Sequence, residues 1–420
     1  MTHTLPLLLS PAGSFASLSA ALHSGADAVY FGTTLLNMRA SASNFELNQL
    51  PEVAHRAHEA GAKAYLTLNV QVYDHELETV EKVLSRAKDA GVDAVIAWDM
   101  AVIQRAREVR IPFHMSTQAS IANIETALFY ESLGATTVVL ARECSLNQVE
   151  AMITELRRRG SALKVEIFAH GAMCVAISGR CFLSQHAFSK SGNRGECTQP
   201  CRRSYRIVDA EGELAFGVEA STLLSPKDLC TIPLIARLVR SGVNLLKIEG
   251  RNRSPDYVST VTRVFRDALD AAALGSYDAK AVERDMQALG AVYNKKFHTG
   301  FYEAPPGGEH FTDVENSAAT HKKKYLGMIS KVYGKIQVFD LDMHTGTLQM
   351  GADVMIIGPR TGVQSARVVS IFNGQGEAVD SVSRGECAGI KIEPWHPVRP
   401  RDKLFVTVPS GHKGDVHGKP

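Results

Sequence analysis

Five cysteines, Cys174, Cys181, Cys197, Cys201 and Cys230, crowd into the stretch from Glu166 to Cys230, although the whole chain of 420 residues has only seven. The intervening sequence is polar and glycine-rich, as in Ser178-Gly179-Arg180 and Gly192-Asn193-Arg194-Gly195-Glu196. A thiol is a small hydrophobe in a core or a soft metal ligand, and only the second role suits such loops. The spacing is Cys174-x6-Cys181-x15-Cys197-x3-Cys201-x28-Cys230. It contains no Cys-x-x-Cys knuckle and so matches a zinc ribbon poorly. Loops of very unequal length can still close four thiolates around an iron–sulfur cluster, which needs four sulfurs but no single spacing. Spacing alone leaves a cluster and a structural zinc both open, with a set of silent buried thiols behind them. Cys144, before Ser145 at a helix start, and Cys387 read as structural.

Bulk properties bound the rest. The 46 basic and 44 acidic residues give a net charge of +2, so no global field marks a nucleic-acid binder, and any such contact must come from local patches. An apolar fraction of 45% and a charged fraction of 21% are those of a globular protein. The N-terminus lacks a basic region followed by a long apolar run, and no run reaches the length of a membrane span. These features predict a cytoplasmic protein, where thiols stay reduced and bind metal or react rather than pair.

The elements that must carry the cysteines follow from a recurring pattern in which an amphipathic helix ends in Gly and an apolar strand starts at once. Instances begin at Gly25, Gly61, Gly91, Gly134 and Gly242. Adding Leu7 to Ser10, Pro112 to Thr117 and Val165 to His170 gives eight strands, which predicts a TIM-like (β/α)8 barrel over residues 1–275 rather than an open doubly wound sheet. Most of the cysteines then lie on an insertion, residues 172–230, between strands seven and eight, above the mouth where barrel chemistry sits.

Reading off the strand ends gives a polar rim: Ser10, Asn69, Asp99, Ser116 to Gln118, Arg142, Glu143, His170 and Glu249 to Arg251. Ser10 and Asp99 suit helix N-caps. Gln118, Arg142, Glu143, His170, Glu249 and Arg251 suit a pocket for an anionic small molecule. Residues 276–320 read as a helical and loop connector, 321–409 as a small β-barrel of short strands, and 410–420 as a disordered tail. Arg202-Arg203 with Arg206, Lys322 to Lys324, and Lys295-Lys296 are short basic runs with aromatics nearby. Singly they are solvated faces, but in combination they favour RNA phosphates.

Glu166-x-Phe168-x-x-Gly171-Ala172-Met173-Cys174-x6-Cys181-x-x-Ser184 resembles the signature of the collagenase-like peptidase family, peptidase U32. Leu9 to Gly13, Ser116-Thr117-Gln118, Ala141-Arg142-Glu143, Ser225 to Leu229 and Lys247 to Arg251 are similar as well, in the same order. The resemblance implies a family in which several members hydroxylate RNA or quinones, including prephenate-dependent proteins that make 5-hydroxyuridine at the tRNA wobble position. It implies a [4Fe-4S] cluster on Cys174, Cys181, Cys197 and either Cys230, the preferred fourth ligand, or Cys201. The loop from Gly192 to Arg203 is similar to that of the tRNA branch. The expected enzyme is therefore a tRNA hydroxylase. Prephenate or a related carboxylate would be held by Gln118, Arg142 and Arg251, and Arg202 and Arg203 would meet the RNA. His170, Glu143 or Glu249 would act as general acid or base, and the electron donor is not legible. The alternatives are a peptidase, for which no His-Glu-x-x-His or Gly-x-Ser-x-Gly is present, and hydroxylation of ribosomal RNA cytidine or of a quinone precursor.

Overall fold

The computed structural model describes residues 5–39, 43–203, 207–208, 215–216, 224–312, 314 and 316–410. The tail expected to be disordered lies outside them from residue 411 onward. Seven strands, β1 (Leu7–Pro11), β2 (Ala28–Gly32), β3 (Lys63–Thr67), β4 (Ala94–Ala97), β5 (Phe113–Met115), β6 (Thr137–Val139) and β7 (Lys164–Gly171), pair in parallel in chain order. Strand β8 (Leu245–Ile248) pairs with both β7 and β1, and the barrel closes. The glycines at 25, 61, 91, 134 and 242 all have positive φ, which ends each helix before the next strand without a Cβ penalty.

The strands are buried on both faces. Helices α1 (Phe15–His23), α2 (Leu50–Glu59), α3 (Leu77–Asp89), α4 (Met100–Val109), α5 (Ile124–Ser132) and α6 (Leu146–Arg158) cover the outside with α8 (Ile235–Ser241) and α9 (Pro255–Ala273). A second, interior group that includes Leu9, Tyr30, Tyr65, Ile96 and Leu245 fills the barrel. Asp99 caps α4 by accepting from Ala101 N at 2.9 Å, as expected, whereas Ser10 bonds Thr262 of α9 at 2.8 Å and caps nothing.

The insertion between β7 and β8 holds the short helix α7 (Leu183–Phe188) and several tight turns. It returns through a short strand, Asp228–Cys230, that pairs antiparallel with the end of β7 and parallel with Phe297–His298 beyond α10 (Ala279–Ala291). The second barrel is antiparallel and closed. It comprises β9 (His321–Tyr333), β10 (Val338–Met343), β11 (Asp353–Gly358), β12 (Gly362–Phe372), β13 (Cys387–Glu393) and β14 (Lys403–Pro409), in the spatial order β11-β14-β9-β10-β13-β12 and back to β11. It docks on α1 and α2, where Ser19 Oγ and Arg56 Nη1 each donate to Pro359 O at 2.8 Å. No helix among the described residues is long and apolar enough to cross a membrane.

Candidate functional site at the barrel mouth

A cavity of about 170 Å³ opens at the C-terminal ends of the barrel strands. Side chains of the strands themselves form its floor: Tyr30 on β2, Thr67 on β3, Ile96 on β4, Phe168 on β7 and Lys247 on β8. Asn69, Ser116, Gln118, Arg142, Glu143, Glu249 and Arg251, just beyond the strand ends, form the walls, and the insertion closes over them with Met173, Cys174, Cys181, Cys197, Cys201 and Arg202. Gly171 permits that closure. Its φ is +109°, and a Cβ there would stand 2.4 Å from Glu249 O, so β7 and β8 can leave the barrel side by side only with glycine.

Electrostatics in the cavity are organised around Glu249. Its carboxylate accepts from Arg39 Nη2 at 2.8 Å and from Tyr30 OH at 3.1 Å. Burial alone would raise its pKa, but Arg39, Arg142 and Arg251 overcome that and hold it at about 2. Arg251 donates through Nη1 to Thr67 Oγ1 at 2.8 Å and to Asn37 Oδ1 at 3.2 Å, and burial together with Arg39 lowers it to about 10. Arg142 lies 3.7 Å over the Phe168 ring and donates to Ala172 O at 2.7 Å, while burial holds its pKa below the usual range. At the floor, Lys247 Nζ pairs with the fully buried Glu166 at 2.8 Å and lies 4.5 Å from the Tyr30 ring centroid. The lining carries four guanidiniums and one ammonium against two carboxylates, a field that favours an anion. Asn69 Nδ2 reaches Ser116 Oγ and Gln118 Oε1, both at 3.4 Å, and adds a neutral polar wall. Arg39 escaped the sequence reading because it sits in an irregular loop after β2, outside every motif.

Cys174, Cys181, Cys197 and Cys201 all line this cavity. Backbone and hydroxyl donors already point at three of the sulfurs: Ala176 N at Cys174 and Leu183 N at Cys181, both at 3.4 Å, and Ser184 Oγ at Cys197 at 3.8 Å. Burial pushes the Cys201 thiol up to about 11, opposed by Arg202 and reinforced by Cys174, Cys197 and Cys181 close by. Cys230, preferred from sequence as the fourth sulfur, is placed elsewhere. It pairs in register with His170, is 1% exposed, and packs its sulfur 3.6 Å from Met286 Sδ, where burial raises it to about 12. Its strand is an addition to the eight-stranded barrel, paired antiparallel with the end of β7, and Cys230 turns towards α10 instead of the cavity. Cys201, the reserve ligand, is the thiol that joins the other three. Four thiols, two of them met by N–H donors and a third by a hydroxyl, fit an iron–sulfur cluster, whose sulfurs are tuned by such bonds. Among the described residues, no three His, Cys, Asp or Glu side chains converge closely enough to share one metal ion.

The other predicted site residues divide sharply. Glu143 lines the cavity with Oε2 buried and without a hydrogen-bond partner among the described residues. Arg202 reaches the cavity but spends its guanidinium on Ser225 Oγ, Pro226 O and Met173 O, at 3.2, 3.0 and 2.8 Å, so it positions the insertion. Arg203 is exposed outside the cavity and stacks 4.6 Å from the Phe188 ring centroid. Lys295 is buried and donates to Val314 O at 2.6 Å, and Lys323 pairs with Asp256, so neither presents a free charge to phosphate.

His170 was expected at the barrel mouth and is not there. The ladder between β7 and β8 runs Lys247 to Phe168 and then Ile248 to His170, so one residue of β7 is bulged out. A bulge re-aims the side chains that follow it. His170 therefore turns outward, among the rings of Tyr257, Phe265 and Phe297, with Nδ1 unpartnered among the described residues and its pKa lowered to about 3, mainly by burial. The unfolded value lies near 6.5. The unfolded chain thus binds the extra proton. Stability from the neutral ring is complete above about pH 6.5 and is lost as the pH falls towards 3. His170→Phe is expected to keep its activity and to melt with a shallower pH dependence between pH 7 and 5 than the parent. Differential scanning fluorimetry across that window, with a turnover assay, checks both; a large loss of turnover would restore a catalytic role for the ring.

Comparison with known proteins places this geometry in a family. The model of peptidase family U32 matches residues 13–312. A collagenase of Porphyromonas gingivalis is 38% identical over 405 residues, covering 95% of this chain and 97% of that protein. The tRNA hydroxylation protein P1 of Bacillus subtilis is 33% identical over 392 residues, covering 90% and 89%. The 23S rRNA 5-hydroxycytidine C2501 synthase of Escherichia coli is 39% identical over 267 residues, 63% of this chain and 39% of that longer protein. The breadth of these matches, over the barrel and its cysteine insertion, shows that this chain belongs to peptidase family U32.

Proposed function

We propose that this protein is an RNA-modifying enzyme that hydroxylates the wobble uridine of tRNA at C5, with an iron–sulfur cluster and prephenate or a related carboxylate as cosubstrate. The observation that carries the reading is the convergence of Cys174, Cys181, Cys197 and Cys201 on the cavity that also holds Arg39, Arg142, Arg251 and Glu249. The four thiolates would hold a [4Fe-4S] cluster, which supplies redox or Lewis-acid chemistry at the mouth. Arg142 and Arg251 bind a carboxylate, with Arg39 shared between it and Glu249. Glu249 keeps the guanidiniums from repelling one another when the cavity is empty. Asn69, Ser116 and Gln118 offer amide and hydroxyl groups to the polar edge of a base extruded from its stack. Glu143 has an uncommitted carboxylate oxygen in the same space and takes the role of general base. The hydroxylation proteins among the relatives support an RNA substrate.

Nucleoside mass spectrometry of tRNA from a strain lacking the gene and any redundant pathway tests this. Loss of 5-hydroxyuridine derivatives, restored by the parent gene, is expected; an unchanged nucleoside profile would refute the tRNA role. The collagenase names of two relatives and the protease name of a third favour a peptidase instead. Against it, no histidine among the described residues lines the cavity to activate a thiol or hydroxyl. Gelatin digestion that persists in pure Cys174→Ala, Cys181→Ala protein would favour the peptidase.

A further inference from the structure

Apolar side chains are unusually exposed around the cavity mouth. Val175, Ile177, Phe182 and Phe188 all lie on the cysteine insertion, with Phe182 71% and Ile177 66% exposed. Tyr73, on the loop after β3, adds a third exposed ring to Phe182 and Phe188. Cations are interleaved with these rings. The Arg194 guanidinium lies 4.8 Å from the Tyr73 ring centroid and pairs with Glu76, which ties the insertion to the barrel loop. Arg203 covers Phe188, and Arg180 is fixed by Ser120 Oγ at 2.8 Å. Phe182, next to the cavity-lining Cys181 and Leu183, has no such cover among the described residues.

Charge separates the possible occupants of this surface. Residues 174–203 carry five Lys or Arg against one acidic residue, Glu196, in a chain that is otherwise balanced at 46 against 44; Arg194 is paired with Glu76 and Arg202 is held inside the insertion, and Arg180, Lys190 and Arg203 are exposed. A protein partner or an acyl chain would explain exposed rings but not this local excess. Single-stranded nucleic acid explains both, because unpaired bases stack on aromatic rings while cations follow the backbone.

We propose that the insertion is a stacking platform for the unpaired nucleotides that flank the target base, with Phe182 as the principal ring. The inference rests on the RNA reading above and deepens it: the substrate must present its target in a loop, since a paired base has no face free to stack. Exposure of Phe182 at the rim places the stacked neighbour directly beside the cavity entrance, and sequence tolerance of stacking leaves the choice of base to the cavity.

The test uses the anaerobically reconstituted holoprotein, a synthetic RNA stem–loop and a fully paired RNA duplex of the same length, with fluorescence anisotropy as readout. The parent is expected to bind the stem–loop more tightly than the duplex. Phe182→Ala should weaken stem–loop binding roughly 5-fold to 100-fold, the range of one base stack, and leave duplex binding and iron content unchanged, while Phe182→Trp should restore it. Equal stem–loop affinity in the parent and in Phe182→Ala would overturn the proposal alone. Should Phe182→Ala lose iron, Ile177→Ser and Phe188→Ala serve in its place, and unchanged stem–loop affinity in both would overturn it as well. Failure of the parent to bind either RNA would instead sink the RNA reading.

Discussion

Cys201→Ser is expected to abolish RNA modification and to strip most of the iron from anaerobically purified protein, whereas Cys230→Ala keeps both. Serine preserves size but replaces a soft thiolate with a hard, weakly acidic hydroxyl that iron–sulfur clusters bind poorly. The consequence is specific because Cys201 lines the cavity with Cys174, Cys181 and Cys197, while Cys230 packs on Met286. Removing the Cys230 sulfur costs only local packing, on the order of 1 kcal/mol, and lowers the melting temperature by a few degrees. Iron content, visible absorbance and nucleoside analysis on the two variants together decide the point. Iron retained in Cys201→Ser and lost in Cys230→Ala would invert the assignment.

Glu143→Gln is expected to lower kcat by roughly 10²–10⁴-fold, the usual contribution of a positioned acid or base, with KM and iron content little changed. The amide keeps the shape of the side chain and removes only its capacity to take a proton. Glu249→Gln should behave differently. Glu249 is held ionised by three guanidiniums, and neutralising it leaves them buried and facing one another. Breaking such a buried pair costs about 3–5 kcal/mol, so the main effect appears in the melting temperature. Because Glu249 stays ionised down to about pH 2, its titration should be absent from the rate profile at neutral pH. A Glu143→Gln protein with full kcat would remove that residue from the chemistry.

The barrel was legible because each repeat carries its own punctuation. Glycine before an apolar run is a local signal, and closure needs only the count of such units. The insertion was legible for the same kind of reason, since clustered thiols on polar loops have few uses. What could not be read were relations set by a single register shift or by long-range contact. One bulge in β7 turns His170 from the mouth into an aromatic layer, and nothing in Ala169-His170-Gly171 announces it. Cys201 and Cys230 differ only in where a short strand, Asp228–Cys230, joins the barrel wall, a choice fixed by pairing with residues nearly 60 positions earlier and 70 later. Arg39 reaches Glu249 across 210 positions, so its role becomes visible only when β2 and β8 both end at the same cavity. Arg202 and Arg203 looked equivalent in sequence. In the fold one is consumed by backbone carbonyls, and the other faces solvent.

The central claim is that four sulfurs over the barrel mouth hold iron as a cluster. Iron and acid-labile sulfide, measured on the full chain purified without oxygen, test it most directly. The account predicts equal amounts of the two in the parent and little of either in Cys201→Ser. Zinc in place of iron, or iron without sulfide, would contradict it.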